Sequence, residues 1–220
     1  IEGIFLMGVY RADGNPTNFE KNRFKLSGQT GDEQFYKEIV QELIKKTFNL
    51  KEKTIITPRE RSINKKKYTW NDVYIEIISQ GHFEYLLDYI NIFNNKKEFQ
   101  PLNIECIGET KKKIAEYQTA YLMGMIAAGG NMRTRSNDRL ILTMQDTGLH
   151  FIPETERMMQ EHPEMTYSRS KTKPYLHFNQ KTIESMVAYD PGFRISEEQL
   201  GMFVNPKQIS MIEQQGIRQI

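Results

Sequence analysis

The chain has 220 residues, and 30 Lys and Arg against 28 Asp and Glu leave a net charge of +2, so no histone-like field of positive charge argues for a nucleic-acid partner. Hydrophobic residues at 38% and charged residues at 26% exclude a disordered chain, and the length admits one large domain or two small ones. One cysteine, Cys106, excludes a disulfide framework and a cysteine-rich zinc module, and fits a reducing compartment: the cytoplasm, the nucleoid or an organelle.

The chain begins at Ile1 without a methionine, which leaves room for a removed upstream segment. Its first motif is Phe5-Leu6-Met7-Gly8-Val9-Tyr10-Arg11-Ala12-Asp13-Gly14-Asn15. Asn22 to Gln29 alternates (Phe24, Leu26) as a strand does. Asp32 to Leu50 places Phe35, Ile39, Leu43 and Ile44 at helical spacing. Asp32 is a capping-type residue there, and Lys45-Lys46 suit the last turn. Lys53 to Arg61 and Thr69 to Ile78, rich in Thr, Ile, Val and Tyr, predict two strands. Gly81 ends that run, and His82 to Phe93 predicts a helix.

Asn94 to Glu109 is a linker containing Pro101, and Lys111-Lys112-Lys113 opens the next segment. Tyr121-Leu122-Met123-Gly124-Met125-Ile126-Ala127-Ala128-Gly129-Gly130-Asn131 then repeats the opening motif, with Gly124 placed 116 positions after Gly8. Its apolar run, Tyr121 to Ala128, is far short of the roughly 20 residues that cross a bilayer, so no membrane partner is expected. Asn131 to Asn137 and Arg139 to Gln145 predict strands around an Asn137-Asp138 turn. Thr147 to Gln160 predicts a helix with Pro153 in its first turn. Met165 to Thr172 and Pro174 to Phe178 predict strands, and Gln180 to Tyr189 a closing helix. After Asp190-Pro191-Gly192 the tail holds two short helical segments, Glu197 to Phe203 and Pro206 to Gln215.

The two motifs resemble those of the LAGLIDADG homing endonucleases in their single-chain, two-motif form. The first copy matches the family word at Leu6, Gly8, Ala12, Asp13 and Gly14, and the second at Leu122, Gly124, Ile126, Ala128 and Gly130. The resemblance implies an α+β fold of two pseudo-symmetric αββαββα repeats, whose antiparallel sheets form a saddle along the DNA major groove. It divides the chain into residues 1–93, a linker 94–109, residues 110–190 and a tail 191–220. It also implies that the motif helices pack closely through Gly8, Ala12, Gly124 and Ala128, as a monomer acting as a pseudo-dimer.

In such a protein an acid at the foot of each motif helix holds Mg²⁺ under the scissile phosphates. Carried over, the first acid is Asp13, the catalytic and metal-holding residue; read without the resemblance, Asp13-Gly14 is a helix C-cap and turn. The second acid falls on Gly129, which has no side chain. Arg11 sets a cation beside the metal position, or else is a solvated surface residue. The basic residue that the family carries near each repeat's last helix falls at Ser79-Gln80 and at Asn179-Gln180, with Lys181 beside it.

Alternation places cations on the strands. Lys21, Arg23 and Lys25 form one set, and Arg59 and Arg61 another, with Lys65 and Lys67 in the turn that follows. Asn131, Arg133 and Arg135, then Arg139, then Arg169, Lys171 and Lys173 do the same in the second half. Arginine reads guanine bidentately, asparagine reads adenine, and lysine neutralises phosphate. The acids are expected largely on the helices. His82, His150, His162 and His177 have no metal-ligand spacing, while Trp70, the tyrosines and Met123, Met125, Met158 and Met159 are expected in the core. Three readings stay open: a homing endonuclease or nickase, a non-catalytic regulator on duplex DNA, and an intron-splicing cofactor on folded RNA. The first reading in its impaired form, binding specific duplex DNA with cleavage lost or reduced to nicking, follows from Gly129.

Overall fold

A computed structural model of the chain describes residues 2–14, 24–28, 30–77, 111–134, 140–145, 151–160, 166–172 and 174–178. In chain order these form α1 (Glu2–Asp13), β1 (Phe24–Gly28), a π-helical turn (Phe35–Val40) running into α2 (Gln41–Phe48), β2 (Ile55–Ile63) and β3 (Lys66–Ile77). Then come α3 (Lys111–Gly129), β4 (Gly130–Thr134), β5 (Leu140–Gln145), α4 (Phe151–Gln160), β6 (Tyr167–Arg169) and β7 (Tyr175–Phe178). All strand pairs are antiparallel, in two sheets ordered β1-β3-β2 and β4-β5-β7-β6. The fold is therefore α+β with antiparallel sheets, as expected. The predicted helix 82–93, the linker with Cys106, the 137–138 turn, the closing helix 180–189, the tail, and positions 79–80 and 179–181 lie outside the described residues.

The centre of the molecule is the pairing of α1 with α3. Every residue from Gly3 to Arg11 is buried, as is every residue from Gln118 to Ala128. A helix covered on all sides needs no polar stripe, which is why both motifs read as nearly continuous apolar sequence. The helices cross at their glycines. A Cβ on Gly8 would lie 2.1 Å from the Tyr121 carbonyl oxygen and 2.9 Å from the Met125 nitrogen. A Cβ on Gly124 would lie 2.0 Å from the Phe5 carbonyl oxygen and 2.8 Å from the Val9 nitrogen. The contacts are reciprocal: Tyr121 stands to Gly8 as Phe5 stands to Gly124, and Met125 as Val9.

The correspondence continues past the helix ends. A Cβ on Gly14 would fall 2.3 Å from the Tyr10 carbonyl oxygen, and one on Gly130 would fall 2.4 Å from that of Ile126. Gly14 bridges to Leu26 where Gly130 opposes Met144, and both partners are fully buried. From there the strand orders agree, β1-β3-β2 in the first sheet and β5-β7-β6 in the second. Gly14 is thus required by packing against Tyr10, and it still donates its N–H to the Tyr10 carbonyl at 2.8 Å.

The second helical segment is helical as expected, but it opens as a π-turn and ends at Phe48, closing at Asn49, whose left-handed φ of 55° caps it after Lys45 and Lys46. Met123, Met125, Met158 and Met159 are buried as expected. Trp70 and Tyr68 are not: they are 38% and 49% exposed, because they lie on β3 where the hairpin has run past the helices. That hairpin turns through Asn64 and Lys65, both at positive φ (51° and 64°), between the paired residues Ile63 and Lys66. This is the mirror-image turn that matches strand twist, and its second position favours glycine. Lys65→Gly is expected to raise stability by about 0.5–1 kcal/mol through relief of the left-handed strain, read as an increase in Tm.

Candidate metal position and nucleic-acid interface

Asp13 ends α1, half-buried, and its Oδ2 accepts a hydrogen bond from the Tyr36 hydroxyl at 2.9 Å. Tyr36 sits fully buried in the π-helical turn, and its ring fits because Gly28 opposite has no Cβ; one there would lie 2.6 Å from the ring. The corresponding end of α3 is Gly129, exposed and without a carboxylate.

Arg11 is not a solvated surface residue. It is 6% exposed, and its Nε donates to Glu154 Oε2 of α4 at 2.9 Å, with that carboxylate 1% exposed. A last-turn arginine on α1 thus crosses to the helix packed beneath the other sheet, and its charge is spent on a protein carboxylate. Among the described residues no group of three His, Cys, Asp or Glu could hold a metal ion. Magnesium demands near-octahedral oxygen ligation. At the two helix ends α1 carries the Asp13 carboxylate, which accepts from Tyr36, and α3 carries Gly129, which has none. Among the described residues, Asp13 and Gly129 do not form a paired-acid metal centre.

The sheets tell more. In the first, the register pairs Leu26 with Ile75 and Val73 with Ile56, and this set faces the core. The alternate set faces outward: Lys25 and Ser27 on β1, Arg59 and Arg61 on β2, and Lys66, Tyr68, Trp70, Asp72, Tyr74 and Glu76 on β3. Arg59 stands directly across from Trp70, and Arg61 across from Tyr68. From Pro58 to Trp70 every residue is exposed, on both faces, so the hairpin's outer half is a free two-stranded ribbon.

Three contacts organise that face. Arg59 Nε donates to Asp72 Oδ2 at 2.7 Å, and Trp70 Nε1 donates to Asp72 Oδ1 at 3.0 Å. The Arg59 hydrogen bond first, and the indole N–H after it, hold the Asp72 carboxyl below the usual carboxylate range. Lys25 Nζ lies 4.0 Å over the Tyr74 ring, a cation–π contact. Acids are therefore not confined to helices. Asp72 and Glu76 share the outward face, Asp72 bonded to Arg59 and Trp70 and Glu76 in register across from Lys25.

Other predicted cations fall elsewhere. Lys67 lies on the opposite face of the ribbon and pairs with Glu60 at 2.7 Å, and Lys65 occupies the turn. Arg169 pairs in register with the buried Leu176, which puts it on the helix side of the second sheet, 3.6 Å from Glu156 of α4. Lys171 follows β6 in an exposed bend. Asn131 and Arg133 occupy register positions across from Thr143 and Ile141, alternating with Met132. The row Asn131, Thr143, His177, Ser168 crosses the whole second sheet. Lys21, Arg23, Arg135, Arg139 and Lys173 lie outside the described residues.

Trp70, Tyr68, Asp72 and Tyr74 were not among the candidates. The signal was present: Val73, Ile75 and Ile77 claim one parity of β3, which turns the even positions outward.

The molecule is an α+β chain on two glycine-contacted helices, with one antiparallel sheet extended into an exposed basic and aromatic ribbon. No family model and no curated protein matches its sequence. Among solved structures it is similar to the K262A mutant of I-SmaMI, at 10% identity over 99% of this chain and 98% of that one, with a TM-score of 0.43. At that distance no residue role transfers.

Proposed function

We propose that the chain is a sequence-specific double-stranded DNA-binding protein related to the LAGLIDADG homing endonucleases, in which metal-dependent double-strand cleavage is lost or reduced to nicking. The supporting observation is the β2–β3 ribbon. Residues 58–70 carry Arg59, Arg61, Lys65, Lys66 and Lys67 against the single acid Glu60, in a protein whose net charge is only +2. A two-stranded ribbon has the width to enter the major groove. The reciprocal packing of α1 and α3 supports a monomer that presents two related sheets, as a pseudo-dimer. Gly129 supports the loss of paired-acid chemistry, and Asp13 keeps a carboxylate for a nicking activity.

Binding to a mixed-sequence duplex should weaken with salt, with a slope of log K against log salt of about −3 from Arg61, Lys65 and Lys66, since Lys67 is paired with Glu60 and Arg59 with Asp72. Arg61→Ala with Lys66→Ala should make that slope shallower by about 2. Salt-independent or undetectable duplex binding would sink the reading, and tighter binding to a folded intron RNA would move it to the splicing cofactor. On a supercoiled plasmid library with Mg²⁺, a double-strand break would refute the loss of cleavage. Nicking that Asp13→Asn removes would assign the surviving site to Asp13.

A further inference from the structure

The Arg59–Asp72–Trp70 cluster is built in a way that simple charge neutralisation does not require. Asp72 engages Arg59 through Nε alone, so the guanidinium is fixed by its inner edge and its two terminal Nη groups make no hydrogen bond among the described residues. The second Asp72 oxygen takes the indole N–H, which fixes the ring plane of the residue directly across the strands from Arg59. One carboxylate therefore orients both a planar cation and a planar aromatic, on a face where Arg59 keeps 56% of its side chain exposed and Trp70 is 38% exposed. Long arginine side chains ordinarily lose several rotamers on binding, and a cation held in place beforehand loses less.

We infer that Arg59, held by Asp72 and braced by Trp70, is a specificity-determining residue that reads one guanine in the major groove through its Nη1 and Nη2 groups, with Asp72 as its positioning residue. The guanine O6 and N7 acceptors match a forked pair of N–H donors, and the free edge of Arg59 is such a fork. Duplex DNA is the partner that fits, because Arg59 and Trp70 belong to the cation-rich ribbon and the acid of the cluster, Asp72, is taken up by those two side chains. The inference rests on the DNA-binding reading above.

The test is selection from a randomised duplex library by the full chain, as wild type, Arg59→Ala, Asp72→Asn and Trp70→Phe, with thermal unfolding alongside. Arg59→Ala should erase the preference at one G·C pair and weaken binding to the selected site about ten-fold or more, leaving other positions intact. Asp72→Asn keeps the Arg59 charge but loses its orienting carboxylate, so it should relax the same position while the salt slope stays that of the wild type. Trp70→Phe, which keeps an aromatic ring but not the N–H, should fall between. If Asp72 only neutralises Arg59, Asp72→Asn will instead bind every duplex more tightly with a steeper salt slope, and the proposal is overturned. Loss of preference at scattered positions overturns it equally. Wild type that binds no duplex fails the DNA-binding reading itself, an outcome distinct from wild-type binding with an unaltered Asp72→Asn preference.

Discussion

Gly8→Ala is expected to cost about 3 kcal/mol of folding free energy, and Gly124→Ala about the same, in urea unfolding at constant m-value. The reason is the identity of what each new methyl would meet. Both would fall within 2.1 Å of a backbone carbonyl oxygen on the other helix, and backbone has no rotamer by which to withdraw. The helices would have to separate along a seam where every residue from Gly3 to Arg11 and from Gln118 to Ala128 is buried. Intrinsic helix preference points the other way, since alanine is favoured over glycine by about 1 kcal/mol inside a helix. Gly129→Ala supplies the contrast: helical, exposed and away from the crossing, it should be neutral or slightly stabilising. Equal losses at Gly8 and Gly124 would reflect the reciprocity of the contact, and a mild effect at either would show that the helices are not held at this distance.

The second large effect concerns Arg11 and Glu154. Removing either partner alone leaves the other charge buried with its main counter-charge gone, and Arg11→Met or Glu154→Gln should each cost about 3–5 kcal/mol. Replacing both, as Arg11→Met with Glu154→Leu, should recover most of that loss, because a well-filled apolar pair avoids the desolvation of two charges. A double-mutant cycle reads the coupling directly. Additive losses, with no recovery in the double variant, would mean that the two side chains act through separate neighbours. Because Arg11 belongs to α1 and Glu154 to α4, this pair also bears on how the first motif helix is held against the second half of the chain.

Much of the fold was legible from periodicity. Phe35, Leu43 and Ile44 mark the buried side of the second helical segment, and Val73, Ile75 and Ile77 mark the core side of β3. Strand ends were legible only to within a few residues: Thr69 as a start for β3 missed Lys66 to Tyr68, because strand pairing extends as far as the Asn64-Lys65 turn permits, whatever the burial. The π-helical turn at Phe35–Val40 left no mark in the apolar spacing, since it shifts register by one residue without changing composition.

For the site, the sequence alone determined three things: the motif glycines at equal spacing, a carboxylate at Asp13, and the absence of one at Gly129. Each is a matter of residue type, which no folding can alter. It also suggested cations at alternating strand positions, but alternation states that residues share a face without stating which face. Only the tertiary structure decided that Arg59 and Arg61 look outward, that Arg169 lies on the opposite face of its sheet, and that Lys67 and Arg169 pair with acids. It likewise decided that Arg11 is buried against Glu154, and that Asp72, an acid on a basic face, aims Arg59 and Trp70. Arg11 and Glu154 are separated by 143 positions, so their contact depends on how the elements pack and is invisible to any local pattern, whereas Trp70 and Asp72 share one parity of a single strand.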